Sequence, residues 1–353
     1  MIHPARRHGC RLLLALLLGL AACQPAPDDG PKKTPTLHYF TWSDYVDRDL
    51  LAGFEREAGV KIVADTFGSN EELLAKLQSG VAGYDVAVPS DFMVTIMARL
   101  DLLAELDLAK IPNARSLADR LRHLPFDPES RFAIPYLWGT VGIGYDSAVI
   151  PVPPDSWAVL WDSRYKGRIS MLNDQRELFG AALRALGQSM NATEAEVIWQ
   201  AQARLASQKP LVKTYTSDTY AQLLAAGDVV LAHGWGGAVA RAMAERPSIK
   251  YVIPKEGGTV WADCLVVLKS SRQKDLAMRF IDYLLDREVA AHTTNRLLFA
   301  SSNREAEALV DERIRTNPAV YPPDSAWRRL EWMTDVGHAI KLYDRAWTEL
   351  KLQ

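Results

Sequence analysis

Between Leu37 and Pro89 the chain alternates three short apolar runs with two amphipathic segments, and this rhythm limits its fold more than any other feature. Leu37 opens a strand, LHYFTW, that runs to Trp42. Asp47 then caps a helix in which Leu50, Leu51 and Phe54 recur at helical spacing, with Gly59 as its stop. Lys61 to Ala64 reads as the second strand. Ser69, with Glu72 three residues on, makes a capping box for a helix carrying Leu73, Leu74 and Leu77 and stopping at Gly80. Tyr84 to Val88, YDVAV, is the third strand. Strands and helices alternating at this length imply an α/β fold, with a mainly parallel sheet covered on both faces.

Phe132 to Tyr145, FAIPYLWGTVGIGY, breaks the rhythm. Its length and glycines predict a strand, an interruption near Trp138 and Gly139, and another strand, together forming the first crossing between two domains. Gly139, Gly142 and Gly144 would let backbones approach there. Beyond it, Ser156 to Trp161 reads as a short helix and Gly167 to Leu172 as a strand. Helices are expected from about Glu177 to Leu186 and from Thr193 to Ser207, and a third from Ser217 to Ala226 with Ser217 or Asp218 as its cap. Val229 to Gly234 is a strand, and the apolar residues around Trp261 to Leu268 make the return crossing. Lys274 to Leu285 is an amphipathic helix, and Ala326 to Gln353 reads as mostly helical.

The N-terminus belongs to export rather than to the fold. Arg6, Arg7 and Arg11 precede an apolar run from Leu12 to Ala22, which has the regions of a secretory signal and is too short to span a bilayer. Its end, Leu20, Ala21, Ala22, Cys23, resembles the lipobox of bacterial lipoproteins, in which the cysteine is lipidated and becomes the mature N-terminus; a plain signal peptide is the other reading. Gln24 to Pro35 reads as a flexible tether. Cys10 and Cys23 fall in this targeting segment, so Cys264 is left without a partner. No disulfide framework or structural zinc site is expected, and Cys264 reads as a small buried hydrophobe. A formal charge of -2 and a pI near 6.4 argue against a sequence-independent nucleic-acid binder.

Enzyme signatures are absent: there is no H-E-x-x-H helix, no G-x-x-x-x-G-K loop and no G-x-S-x-G elbow. The seven histidines are scattered, and Val239 spoils any dinucleotide fingerprint at Gly234, Gly236 and Gly237. What recurs is an aromatic ring beside an acid at expected strand ends. Trp42 and Tyr45 bracket Ser43 and Asp44; Phe92 follows Asp91; Trp261 precedes Asp263; Trp235 sits among glycines. Asp174 and Glu177, at helical spacing, would lie on neighbouring turns and face one ligand. Each tryptophan alone reads more readily as core or a surface anchor, and it is the joint placement at strand tips that points to a shared ligand. Ligands of open α/β sheets bind outside the carboxyl ends of the strands, and this chemistry suits a cation with an apolar body. A cation over an aromatic face gains roughly 0.5–2 kcal/mol, and a carboxylate adds charge-assisted hydrogen bonds.

The phrases YFTWSDYV, SNEELLAKL, YDVAVPS, IPYLWGTVGIGY, NDQRELF, PKEGG, VWAD, NPAVYPP and RAWTELK occur in order from near Leu37 to the C-terminus. Together they resemble the polyamine-binding proteins of bacterial ABC importers, the spermidine and putrescine receptors. The resemblance implies a two-lobed type II periplasmic binding protein fold that closes on an extended polyamine and docks on a membrane permease. By matching position, it implies aromatic walls at Trp42, Tyr45, Trp235 and Trp261, and amine-binding carboxylates at Asp174, Glu177 and Asp263 with Asp44 as a further acid. Polar contacts fall at Ser43, Ser90 and Ser217. The acids at Asp174 and Glu177 and the ring of Trp261 follow the spermidine type, whereas phrases near the C-terminus are closer to the putrescine type, which also has an acid where this chain has Ala238. Phe92 and Phe299 stand where spermidine receptors carry tyrosine, and Met333 where they carry glutamine. Each neutral hydrogen bond so lost is worth about 0.5–1.5 kcal/mol.

On this reading residues 1–22 are a signal peptide and 23–35 a tether. Residues 36–138 with about 262–305 form one lobe, and 139–261 with about 306–353 the other. The protein is expected to be periplasmic, held to the membrane only through a lipid at Cys23, with no cofactor, no metal and no catalysis. Two alternatives keep other chemistry open: the same fold binding another cationic amine or acting as a ligand sensor, and an extracellular carbohydrate-active enzyme, since paired carboxylates and tryptophans also suit sugars.

Overall fold

A computed structural model describes residues 34–80 and 83–352 of the chain. The export segment, Cys10, Cys23 and the tether up to residue 33 lie outside the described residues. The strands are β1 (Thr36–Trp42), β2 (Lys61–Phe67), β3 (Val86–Ala87), β4 (Ala133–Asp146), β5 (Ile169–Met171), β6 (Val212–Tyr215), β7 (Leu231–Trp235), β8 (Ile249–Val252), β9 (Thr259–Val267), β10 (Ala300–Ser301) and β11 (Glu331–Trp332). They follow the order β2-β1-β3-β9-β4-β7-β5-β6, with β10 and β8 beside β4 and β11 beside β9. The outer trios β2-β1-β3 and β6-β5-β7 are parallel, while β4 and β9 run antiparallel to each other, β9 antiparallel to β3 and β4 antiparallel to β7.

The first part forms as its sequence dictates. Alternation in β1 sends Leu37 and Tyr39 to a core with Phe54 and Phe280, and Phe40 to the opposite face with Phe67 and Leu73. Burying each such side chain contributes about 1.5–3 kcal/mol. The Asp47 carboxylate accepts from the Asp49 and Leu50 N–H groups to start the helix Arg48–Ala58, and Gly59 ends it at φ 69°. Ser69 accepts from Glu72 N, and Glu72 reaches back to Gly68 N rather than to the cap itself.

β4 is one unbroken strand of 14 residues, so the expected interruption near Trp138 and Gly139 does not occur. The irregularity is a register shift between Pro135 and Leu137, where the proline lacks a donor for the ladder. Ala133 to Thr140 pairs with β9, while Val141 to Tyr145 pairs with β7, so the strand belongs to both halves of the sheet. Its glycines are required by packing. A Cβ on Gly142 would lie 2.5 Å from the Val252 carbonyl oxygen and 2.7 Å from the Tyr251 ring. Replacing Gly142 by alanine should lower stability by about 1–3 kcal/mol, read as a fall in the denaturation midpoint; an unchanged midpoint would show that β4 and β8 can part there freely.

One further expectation is corrected. The helix after β6 is Tyr220–Ala226 and is capped by Thr219, not by Ser217 or Asp218. Thr216 Oγ1 takes the Asp218 and Thr219 N–H groups, which fixes a turn at Ser217 and Asp218 and delays the helix. The segment from Ala326 is mostly helical as expected, ending in Ile340–Leu352, but it also contributes β11, which lies parallel to the start of β9. Cys264 is buried and free, as expected. No helix among the described residues is long and apolar enough to cross a membrane.

Candidate functional site

Part of the set singled out at strand ends meets beside β9: Tyr45, Ser90 and Asp91 all reach its Ala262–Asp263 segment. β1 ends at Trp42, and the single 3-10 turn Ser43–Tyr45 brings Tyr45 inward while Ser43 and Asp44 stay exposed. The Tyr45 hydroxyl donates to Asp263 Oδ2 at 2.5 Å, and the Ser90 hydroxyl donates to Oδ1 at 2.7 Å. Ser90 is held in turn by Asn70, whose amide donates to Ser90 Oγ and accepts from Ser90 N. Asn70 escaped the sequence reading, although it follows the capping Ser69 and opens the helix Asn70–Gln78. Asp263 is 6% exposed, and burial pushes its carboxyl up to about 6 despite both hydroxyl donors.

A second acid group faces this one from the other half of the sheet. Asp174 is not on a helical turn beside Glu177, as its spacing predicted, but caps the helix Gln175–Ala185 by accepting from Glu177 N. Glu177 is 4% exposed and accepts from Thr259 Oγ1 at 2.6 Å, which ties it to the start of β9. Burial, then the neighbouring Asp174 and Asp91 carboxylates, push Glu177 up to about 8. Burial also raises Asp174, with Glu71 from the first half of the chain adding repulsion. Asp91, beside Phe92, accepts from Phe92 N at 2.7 Å and Ala262 N at 3.3 Å, yet burial pushes it up to about 8, with Asp263 adding to the rise. The site thus gathers carboxyls whose negative charge burial disfavours.

The rings differ in what they pack against. Trp261 packs edge-on to Phe299 at 5.2 Å and lies over Gly139, where a Cβ would meet its ring at 2.7 Å. Phe299 also neighbours Tyr45 and is backed by Gly237. Trp42 stands against Phe67 at 4.5 Å. The indole N–H groups of Trp42 and Trp261 are both buried without a partner among the described residues. Trp235 packs against Tyr220, whose hydroxyl accepts from Trp235 N and donates to its carbonyl. Ala238 and Met333 are buried, and Ser217 is half-buried with no hydrogen bond to the other site residues. No hydrogen bond joins Ser43, Asp44 or Ser217 to the acids; the Asp44 carbonyl is instead taken by Arg296.

The whole chain is similar to known binding proteins. The family model for bacterial extracellular solute-binding proteins matches residues 49–322. A spermidine/putrescine-binding periplasmic protein of Salmonella typhimurium is 33% identical over 339 residues, 96% of each chain. The putrescine-binding periplasmic protein PotF of Escherichia coli is 34% identical over 337 residues, covering 90% of this chain and 91% of its own. Among solved structures, the TpPotD lipoprotein of Treponema pallidum superimposes with a TM-score of 0.82 at 31% identity, covering 90% of this chain and all of the other. The spermidine/putrescine ABC transporter substrate-binding protein PotD of Streptococcus pneumoniae gives 0.82 at 29%, covering 90% of this chain and 99% of its own. With the same fold and a third of its residues shared along nearly its full length, the chain belongs to the bacterial extracellular solute-binding proteins and has their two-lobed α/β fold.

Proposed function

We propose that this protein captures a polyamine in the periplasm and delivers it to the membrane permease of an ABC importer. The observation that carries the reading is the set of acids, buried Asp263 on one half of the sheet and half-buried Asp174 with buried Glu177 on the other, with Trp261 two residues from Asp263 on β9. An extended polyamine supplies what this arrangement lacks: ammonium groups for separated acids and methylenes for the rings between them. Asp263 takes one terminal amine, Asp174 and Glu177 take the others, and Trp42, Tyr45, Trp235 and Trp261 with Phe92 and Phe299 cover the chain. Ser43, Asp44 and Ser217 would act at the edge of the site. The names of the relatives support the ligand class.

The two halves joined through β4 and β9 are the lobes of this proposal, with the boundary at Thr140 and Val141 where β4 changes partners. Acids contributed from both halves reward closure, because only the closed state satisfies every amine, and the ligand shifts the population by that difference. Titration calorimetry with putrescine, cadaverine, spermidine and spermine tests the ligand class. Saturable binding of at least one polyamine, with none of neutral sugars, is the expected result; binding of none would overturn it.

Cys23 is proposed as a lipid anchor on its lipobox-like setting, and the Treponema pallidum relative is described as a lipoprotein. A Cys23→Ala variant should move from the membrane fraction to the soluble periplasmic fraction. Retention in washed membranes would refute the anchor.

A further inference from the structure

We propose that Arg176 sets the amine charge that the site prefers, by offsetting one of its carboxylates; this rests on the polyamine reading above. Arg176 lies between Asp174 and Glu177 in the first turn of the helix Gln175–Ala185 and is only 8% exposed. Its bonded partners are neutral. Nη1 donates to the Thr334 carbonyl at 3.1 Å and Nη2 to Asn191 Oδ1 at 3.0 Å, and the guanidinium lies 5.2 Å from the centre of the Tyr343 ring. Nε is buried with no partner among the described residues.

A buried guanidinium held by a carbonyl, an amide and a phenol ring is costly to desolvate and gains no ion pair from these groups. Asp174 and Glu177 flank it along the chain, and its charge acts on both and on Asp91, as well as on Asp335, which Arg99 already pairs at 2.7 Å. Its hydrogen bonds hold it on the Thr334 and Asn191 side, so it lowers the site's negative field without closing on the carboxylates that the ligand needs. Asn191 continues the support by donating to the Trp332 carbonyl and accepting from Thr334 N. A ligand with one more positive charge therefore meets one more unit of this opposing field, and Arg176 penalises a triamine more than a diamine.

Calorimetry with putrescine and spermidine on the wild type, Arg176→Gln, Arg176→Lys and Asn191→Asp tests this. Arg176→Gln should raise the spermidine-to-putrescine affinity ratio by about tenfold, the order expected for one charge at nearby distance. Arg176→Lys, which keeps the charge and loses the fork, should leave the ratio near the wild-type value. Asn191→Asp cancels the guanidinium in place, at a position already bonded to it, and should raise the ratio even if Arg176→Gln does not fold. A ratio unchanged in Asn191→Asp and in any folded Arg176→Gln, with both amines weakened alike, would reduce Arg176 to a brace for the Trp332 to Thr334 segment and overturn the proposal. A wild type that binds neither amine would instead overturn the polyamine reading.

Discussion

Replacing Asp263 by asparagine should weaken polyamine binding by roughly 30-fold to several thousandfold in calorimetry, the range that corresponds to about 2–5 kcal/mol for truncating one side of a buried, hydrogen-bonded charge pair. The substitution keeps the shape of the side chain. Tyr45 and Ser90 each carry a hydroxyl that can donate or accept, so an amide at position 263 finds partners for both of its ends. Stability should therefore hold, and the ligand-free protein could gain some, because a buried carboxylate is exchanged for a neutral group. The loss is expected in the complex alone, where an ammonium would be left facing a dipole. An affinity equal to that of the wild type would remove Asp263 from the site, and loss of the folded state would show that the carboxylate serves the lobe rather than the ligand.

Much of this arrangement is legible in the sequence, for reasons that differ from residue to residue. The first helices could be read because their caps are local: Asp47, Ser69 and Gly59 do in the structure what their residue types do in any short segment. Cys264 could be read as buried from its lack of a partner and its apolar run. The course of β4 could not, since whether Trp138 and Gly139 interrupt a strand depends on β9 and β10 lying alongside, which is a tertiary matter. Ser217 and Asp218 look like caps by type, but Thr216 takes the N–H groups that they would have served. Helical spacing placed Asp174 and Glu177 near each other and missed that one caps the other. Asn70 and Arg176 gave no signal as single residues; they matter through contacts with Ser90 and Thr334, far away in sequence. Asp91 stood out beside Phe92, yet its weight in the site comes from burial against β9.

Binding should strengthen as pH rises from 5 to 8 and should release protons near neutrality. Without ligand, burial holds Asp91 and Glu177 up to about 8 and Asp263 up to about 6, whereas in an unfolded chain such carboxyls titrate near 4. The folded form therefore binds more protons than the unfolded form between about pH 4 and pH 8. Stability from these groups is fully present below pH 4 and is lost as pH rises through the folded values, so this part of the ligand-free Tm declines toward pH 8. An ammonium ligand reverses the preference by favouring the carboxylate, while alkyl amines stay charged throughout the range. Each carboxyl that must lose a proton on binding makes the affinity fall about tenfold per pH unit below its ligand-free value. Thermal shifts with and without spermidine from pH 5 to 8.5 should show the ligand-induced increment growing with pH. Binding heats at pH 7 in two buffers of different ionisation enthalpy should differ in the sense of proton release. Glu177→Gln should remove part of that release together with part of the affinity, because its site proton can no longer be exchanged for an amine. Equal heats in both buffers, or an increment that shrinks toward pH 8, would mean that the acids are already ionised before the ligand arrives and that the site is preformed as an anionic cleft.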